Sequence, residues 1–213
     1  MRFSDKFNKD GRDRTMMGKT HYTIGLATAL IVLQPESVGE CMVALIAGSL
    51  GGVTADNDTL QRSHAKMGHL MALKTMLLAI IIDLFFRLGL CESVYENQPS
   101  AAIGLIAFVI LWLIGYCSDH RTFTHSFIGL ILYSLAAAMI DQKFALGFAV
   151  AYLSHLILDI MTRKKLPLLY PFNYGVCLKL CYANKTADKV IRFVGYTVSA
   201  ILLGRGLVLG FSL

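Results

Sequence analysis

The sequence predicts an all-α, polytopic membrane protein, and three observations support this. Hydrophobic residues make up 55% of the 213 residues and charged residues only 16%, whereas soluble domains carry roughly 25% charged residues. The apolar residues form runs that approach the length of a transmembrane helix, about 20 residues. All four prolines fall between these runs, where they interrupt no helix. We therefore expect one membrane-embedded helical domain over residues 20–213, preceded by a cytoplasmic basic tail over residues 1–19.

Seven apolar segments follow one another along the chain. The first two, at residues 20–33 and 42–55, are shorter than a standard span, and such lengths are typical of buried or re-entrant helices. They form either a short hairpin or two tilted helices packed inside the bundle. The five longer runs cover residues 70–90, 101–117, 127–140, 144–161 and 190–213. Each of these is predicted to be a membrane helix.

The positive charge is concentrated on alternate connections. The net charge is +6, and fifteen of the 20 Lys and Arg residues lie on the side of the N-terminal tail, whereas the opposite side carries only Lys143. By the positive-inside rule, the N-terminus is cytoplasmic and the C-terminus is outside. The charge thus favours membrane orientation over nucleic-acid binding. The basic run at 163–165 is typical of contact with anionic lipids, so membrane lipids are the expected partners.

Histidine and aspartate residues gather at the predicted cytoplasmic ends of the segments. Polar groups at membrane depth are energetically expensive, so each requires an explanation. The residues at these ends are His21, Asp56, Asp58, Asp119, His120, His125, His155 and Asp159. Mixed imidazole and carboxylate ligands suit Zn, Mn or Fe.

Taken singly, each cluster of these His and Asp residues can be interpreted either as part of a metal site or as a structural feature. His155 and Asp159 are four residues apart, so their side chains share one helix face. They can bind one ion together or form a hydrogen bond with each other. The HRTFTHS stretch at 120–126 places two histidines where a loop meets a helix. The ADND stretch at 55–58 can supply oxygen ligands or form a solvated turn. The residues alone leave both a metal site and a structural His/Asp network open.

Together, five stretches resemble a known family. They are GKTH at 18–21, ADND at 55–58, HRTFTHS at 120–126, YLSHLILDIMT at 152–162 and LPLLYPF at 166–172. Their order and spacing resemble the YdjM-like membrane-bound metal-dependent hydrolases, also described as LexA-regulated. This chain has Ala55 and Thr59 where the family usually has Pro and His. The resemblance implies a hydrolase of the bacterial inner membrane with expression in the SOS response to DNA damage. A fainter likeness to zinc-dependent phospholipase C favours phosphoester chemistry.

The resulting hypothesis is a membrane hydrolase that cleaves a phosphoester of a lipid or lipid-linked substrate at the cytoplasmic interface. One or two divalent ions are expected, Zn first and Mn or Fe second. The predicted metal ligands are His21, Asp56, His125, His155 and Asp159. The predicted catalytic residues are His120, which protonates the leaving group, Arg121, which offsets phosphate charge, and Asp58, a further ligand or acid/base group.

Two rival hypotheses belong to other classes of protein. A divalent-cation transporter or stress-induced membrane protein would bind ions at the same residues without turnover. A structural His/Asp network would need no metal. An ion pathway places polar residues near mid-span and on both faces, whereas the outward ends of these segments carry almost none. The sequence therefore favours a site at one interface.

Overall fold

Seven α-helices make up the described part of the chain. The computed structural model describes residues 18–59, 63–86, 88, 98–119, 121–172, 174–180 and 186–211. The helices are α1 (Gly18–Leu33), α2 (Val38–Thr54), α3 (Ser63–Phe86), α4 (Gln98–Cys117), α5 (Phe127–Ile140), α6 (Gln142–Ile160) and α7 (Thr186–Phe211). Across these residues the only β-pairing is an isolated bridge between Leu166 and Val176. The predicted all-α bundle of seven apolar segments is confirmed.

Five helical segments are long and apolar enough to cross a membrane. They are Val38–Asp58, Ala65–Phe86, Pro99–Cys117, Gln142–Ile160 and Thr186–Gly210. Helix α5 is apolar but shorter, with 14 residues, and α1 has 16. Of the two segments that we predicted to be short, the second reaches spanning length because α2 continues into a 3₁₀ turn at Ala55–Thr59.

Side-chain caps define where several helices begin. Ser37, Ser126 and Asp141 precede α2, α5 and α6, and each side chain accepts a hydrogen bond from a backbone N–H in the first turn. Asp141 alone connects α5 to α6. This tight connection makes the two helices antiparallel neighbours, so the start of α5 and the end of α6 lie at the same end of the bundle.

Helices α1 and α2 approach each other until their backbones touch. A Cβ atom added to Gly25 of α1 would lie 2.5 Å from the carbonyl oxygen of Gly48 and 2.7 Å from Cα of Gly52, both in α2. Small residues of this kind allow close helix packing in membranes. Helix α1 also packs against α3, α6 and α7 and so lies inside the bundle. Of the two alternatives for the segments predicted to be short, the packing favours helices inside the bundle over a short hairpin.

Two buried tyrosines connect the bundle to its polar end. The hydroxyl of Tyr152 in α6 donates a hydrogen bond to the carbonyl of Thr124, which precedes α5. The hydroxyl of Tyr133 in α5 donates to the carbonyl of Leu111 in α4, at 2.7 Å. Both side chains belong to the largest apolar core cluster. Tyr152 thus holds the segment before α5 against α6, and Tyr133 holds α5 against α4.

Candidate metal centre

The five predicted metal ligands meet at one end of the bundle, and we call them the His/Asp cluster. His21 lies in the first turn of α1, Asp56 in the turn after α2, and His125 in a 3₁₀ turn, Phe123–His125, before α5, while His155 and Asp159 lie in the last turns of α6. Four of the five residues are almost fully buried, and the side chain of Asp56 is 15% exposed. The alternating path of the chain thus brings together residues that are distant in sequence.

Two overlapping groups within the His/Asp cluster can hold a metal ion. One is His21, Asp56 and His155, and the other is His125, His155 and Asp159; in each group, one ligand atom per residue lies within 4.8 Å of the others. Nε2 of His155 is 3.8 Å from Oδ1 of Asp56 and 3.9 Å from Oδ2 of Asp159. His155 is therefore common to both groups.

Further close pairs connect the two groups. Nε2 of His21 lies 3.6 Å from Oδ1 of Asp159, and Nε2 of His125 lies 3.3 Å from Oδ2 of Asp159. The rings of His21 and His155 stack with their centroids 3.8 Å apart. Imidazole nitrogens and carboxylate oxygens at such separations are the donor set of Zn, Mn and Fe sites.

His155 is oriented by a backbone carbonyl. Its Nδ1 lies 2.8 Å from the carbonyl oxygen of Gly52, and a carbonyl can only accept, so Nδ1 carries the proton. Its Nε2 then presents a lone pair to the cluster. This buried nitrogen makes no hydrogen bond within the described ranges. Buried polar atoms are rarely left in this state, and metal-binding histidines characteristically have their other nitrogen bonded to a carbonyl or carboxylate. The residues present therefore fit a metal ion.

A comparison with protein families identifies the group to which the chain belongs. A family model described as YdjM inner membrane protein matches residues 16–210. The chain belongs to this family. No curated protein and no solved structure matches it. The predicted YdjM resemblance is confirmed, and together with five apolar helices it identifies an inner membrane protein.

In this YdjM-family protein, Asp58 lies on the outer side of His125. Its Oδ2 accepts hydrogen bonds from the backbone N–H of Arg121 at 2.7 Å and from the hydroxyl of Thr124 at 3.2 Å. The same oxygen is 3.4 Å from Nδ1 of His125, whereas Nε2 of His125 faces the cluster. A carboxylate behind a metal-binding imidazole fixes its orientation. The geometry favours this positioning role over the predicted role as ligand or acid/base group.

The carboxylates around His125 also control its protonation. Burial lowers the pKa of this imidazole, but hydrogen bonds to Asp159 and Asp58 outweigh burial and raise the pKa to about 9. Without a metal, the ring is thus protonated at neutral pH. An ion that binds Nε2 takes the place of that proton.

Replacing Asp58 by Asn is expected to weaken metal binding without abolishing it. The substitution keeps the size of the side chain but removes the charge behind His125, and changes of this kind typically reduce metal affinity about 10- to 100-fold. Affinity is measured by competition with a chelator. Glu40→Gln is the matched control, because Glu40 pairs with Lys143 at the opposite end of the bundle. Unchanged affinity in Asp58→Asn would contradict the positioning role.

Arg121 ties the segment before α5 to the end of α6. Its Nη2 lies 2.9 Å from Oδ2 of Asp159, and its Nη1 donates to the carbonyl of Lys164 at 3.3 Å. The side chain is buried, so this ion pair is shielded from water. We predicted that the guanidinium of Arg121 offsets phosphate charge. In this YdjM-family structure it lies beside Asp159, a predicted metal ligand.

The backbone of Arg121 is strained, with φ of 62°. A left-handed conformation costs an L-residue roughly 1–2 kcal/mol that glycine does not incur. Arg121→Gly is therefore expected to be more stable than Arg121→Ala by about 1 kcal/mol, although both variants lose the ion pair. The difference is measured by thermal unfolding in detergent. An Ala variant as stable as the Gly variant would argue against the positive φ.

His120, the third predicted catalytic residue, lies outside the described residues, as do residues 1–17 of the predicted basic tail. Its role as the acid that protonates the leaving group stays a prediction. Its neighbours on both sides, Asp119 and Arg121, are described.

Proposed function

We propose that this YdjM-family protein is an integral membrane metal-dependent hydrolase that cleaves a phosphoester of a lipid or lipid-linked substrate. The observation that carries the proposal is the convergence of five His and Asp side chains from four elements around the unbonded Nε2 of His155. Zn suits this donor set best, with Mn or Fe as alternatives. A divalent ion held there would act as a Lewis acid on a phosphoryl oxygen and make water a stronger nucleophile at neutral pH.

The protein's own residues would prepare this site for an anionic substrate. Arg121 holds the carboxylate of Asp159 in place, and its permanent charge would offset part of the charge that develops on a phosphate. Asp58 holds His125 in orientation. His120, the residue before Arg121, is our candidate for donating a proton to the leaving oxygen.

The substrate class follows from location and charge. The exposed side chain of Arg163 belongs to the basic run at 163–165, and the carbonyl of Lys164 in that run accepts a hydrogen bond from Arg121. Basic residues at a membrane surface attract anionic headgroups. Under the positive-inside rule, this end of the bundle faces the cytoplasm. A lipid phosphate at the cytoplasmic interface is therefore the substrate that we propose.

Purified protein supplied with Zn is expected to hydrolyse a phosphodiester. Asp159→Asn is expected to lower the rate at least about 100-fold, which is the effect of removing one group that stabilises the transition state. Glu40→Gln, at the far end of the bundle, is the matched control. Rates are followed with bis(p-nitrophenyl) phosphate and with phospholipid vesicles. Bound metal without turnover of either substrate would contradict the hydrolase and favour ion binding alone, as in a transporter. Equal rates in Asp159→Asn and wild type would place the activity elsewhere.

A further inference from the structure

A loop at the metal-centre end of the bundle exposes many large apolar side chains. This apolar loop, residues 166–172 and 174–180, lies between α6 and α7. Phe172 is 74% exposed, Tyr174 73% and Leu180 66%. Four more large apolar residues of the loop are exposed, namely Leu169, Tyr170, Val176 and Leu178. A contiguous exposed apolar patch, unlike a single residue, marks a surface that contacts a membrane or another molecule.

Backbone hydrogen bonds fix the apolar loop to α5 and α6. The N–H of Leu178 donates to the carbonyl of Ile160, the last residue of α6, at 2.8 Å. The N–H of Phe127, the first residue of α5, donates to the carbonyl of Leu168 at 2.9 Å. Leu166 is fully buried in the largest apolar core cluster. The apolar side chains are therefore exposed on a loop whose backbone is held against the bundle.

The apolar loop lies where α5 falls short of the membrane thickness. Helix α5 has 14 residues and α6 has 19, so their lengths are about 21 and 28 Å, against roughly 30 Å of hydrocarbon. Because the two helices meet at Asp141, α6 extends about 7 Å beyond the start of α5. Phe127 and Ile128 are exposed at that start, and Phe127 is bonded to the loop. The loop thus continues the exposed apolar surface of α5.

The charges that accompany the apolar loop are all basic. Between Asp159 and Asp188 the sequence has five Lys and Arg residues and no Asp or Glu. Lys165, directly before the loop, and Lys179, within it, are exposed. Basic residues at a membrane surface attract anionic lipids, and aromatic rings favour the level of the headgroups. Apolar side chains with a basic margin are typical of segments that lie in the membrane interface.

We infer that the apolar loop lies in the bilayer, with Phe172 and Tyr174 at the level of the headgroups and upper acyl chains and its lysines on anionic phosphates. The partner of this surface is lipid of the leaflet at the metal-centre end, because the surface continues the membrane-facing side of α5. The inference goes beyond the proposed function, since it requires neither metal nor turnover. The same ends of α5 and α6 carry His125 and Asp159, so lipid headgroups would lie beside the metal centre.

Tryptophan fluorescence tests the depth of the apolar loop. Phe172→Trp is made in a Trp112→Phe background, which leaves one tryptophan, and the full-length protein is reconstituted into vesicles of phosphatidylglycerol and phosphatidylcholine. We expect blue-shifted emission that loses most of its intensity to lipids brominated near the top of their acyl chains and little to aqueous acrylamide. Asp119→Trp is the matched control, because Asp119 is exposed at the same end of the bundle but outside the loop. Its emission is expected to be quenched by acrylamide.

Tyr174→Trp in the same background repeats the measurement at a second residue of the loop. If Trp112→Phe does not fold, the difference between the spectra of Phe172→Trp and wild type gives the same readout. Acrylamide quenching of Phe172→Trp as strong as that of Asp119→Trp would show a loop in water and overturn the inference. Protection from both quenchers would show that protein covers the loop and would overturn it as well.

Lipid composition tests the role of the lysines. In vesicles of phosphatidylcholine alone, quenching of Phe172→Trp by brominated lipid is expected to decrease. Lys165→Gln combined with Lys179→Gln is expected to remove the difference between the two kinds of vesicle. Equal quenching in both kinds of vesicle with the lysines present would overturn the assignment of anionic headgroups. A failure of the hydrolase function would appear separately, as bound metal without turnover.

Discussion

Removing the imidazole of His155 is expected to strip the metal from the protein. His155 is the one residue that both candidate metal-binding groups share, and its Nε2 is the ring nitrogen that is not bonded to the carbonyl of Gly52, so its loss affects an ion in either position. Loss of an outer residue that only orients a ligand reduces metal affinity about 10- to 100-fold, so loss of a ligand is expected to reduce it at least about 100-fold. The metal content of the wild-type protein is expected to be one or two equivalents.

The measurement is inductively coupled plasma mass spectrometry on detergent-purified protein after dialysis. His155→Asn is the sharper variant, because the Asn amide can still donate to the carbonyl of Gly52 while the Nε2 ligand is gone. His69→Ala is the control, since it also truncates a histidine of a membrane helix but lies outside both groups. Wild-type metal content in His155→Asn would reject the site. A folded wild type that takes up no Zn, Mn or Fe would favour a structural His/Asp network.

Adding one methyl group at Gly25 is expected to destabilise the whole bundle. In Gly25→Ala the new Cβ would meet the backbone of α2 at Gly48 and Gly52, and neither contact can be relieved by rotating a side chain. Overpacking of this kind costs about 1–3 kcal/mol. The two helices would also move apart, which separates His21 from Asp56. Metal affinity is therefore expected to fall together with the unfolding temperature.

Gly204→Ala provides the matched control. A Cβ atom at Gly204 in α7 has no heavy atom outside its own helix within 4 Å, and alanine favours a helix interior over glycine by about 1 kcal/mol. This variant is expected to be as stable as the wild type or slightly more stable. Both variants are compared by thermal unfolding in detergent, with and without added Zn. Equal stability of the two variants would argue against direct backbone contact between α1 and α2.

The helices could be predicted from sequence because bilayer thickness fixes the length of an apolar run. The run at 127–140 coincides with α5, and the run at 101–117 ends with α4 at Cys117. The second segment was harder to predict. Glycine, serine and threonine lower its hydropathy, although its glycines allow the close packing of α2 against α1 and α6.

The identity of the polar residues of the site could be predicted from the sequence, whereas the orientations of their side chains could not. Histidine and aspartate at the ends of apolar runs are conspicuous, and the alternation of spans predicted that they lie at one end. The contact of His155 with the carbonyl of Gly52 could not be predicted, because every residue has a carbonyl and only helix rotation selects this one. The position of Asp58 behind His125 and the bond from Tyr152 to Thr124 depend on the same rotations.

The distribution of the His/Asp cluster along the chain sets an order for the maturation of the protein. His21 belongs to the first helix and Asp159 to the sixth, so two of the five cluster residues, His21 and Asp56, are synthesised well before the other three. Neither metal-binding group can be completed until α6 is in place, because both contain His155. An ion that binds in the proposed way would therefore be loaded only after insertion, on a nearly complete bundle. A product truncated before α6 would remain in the membrane as a metal-free helical fragment.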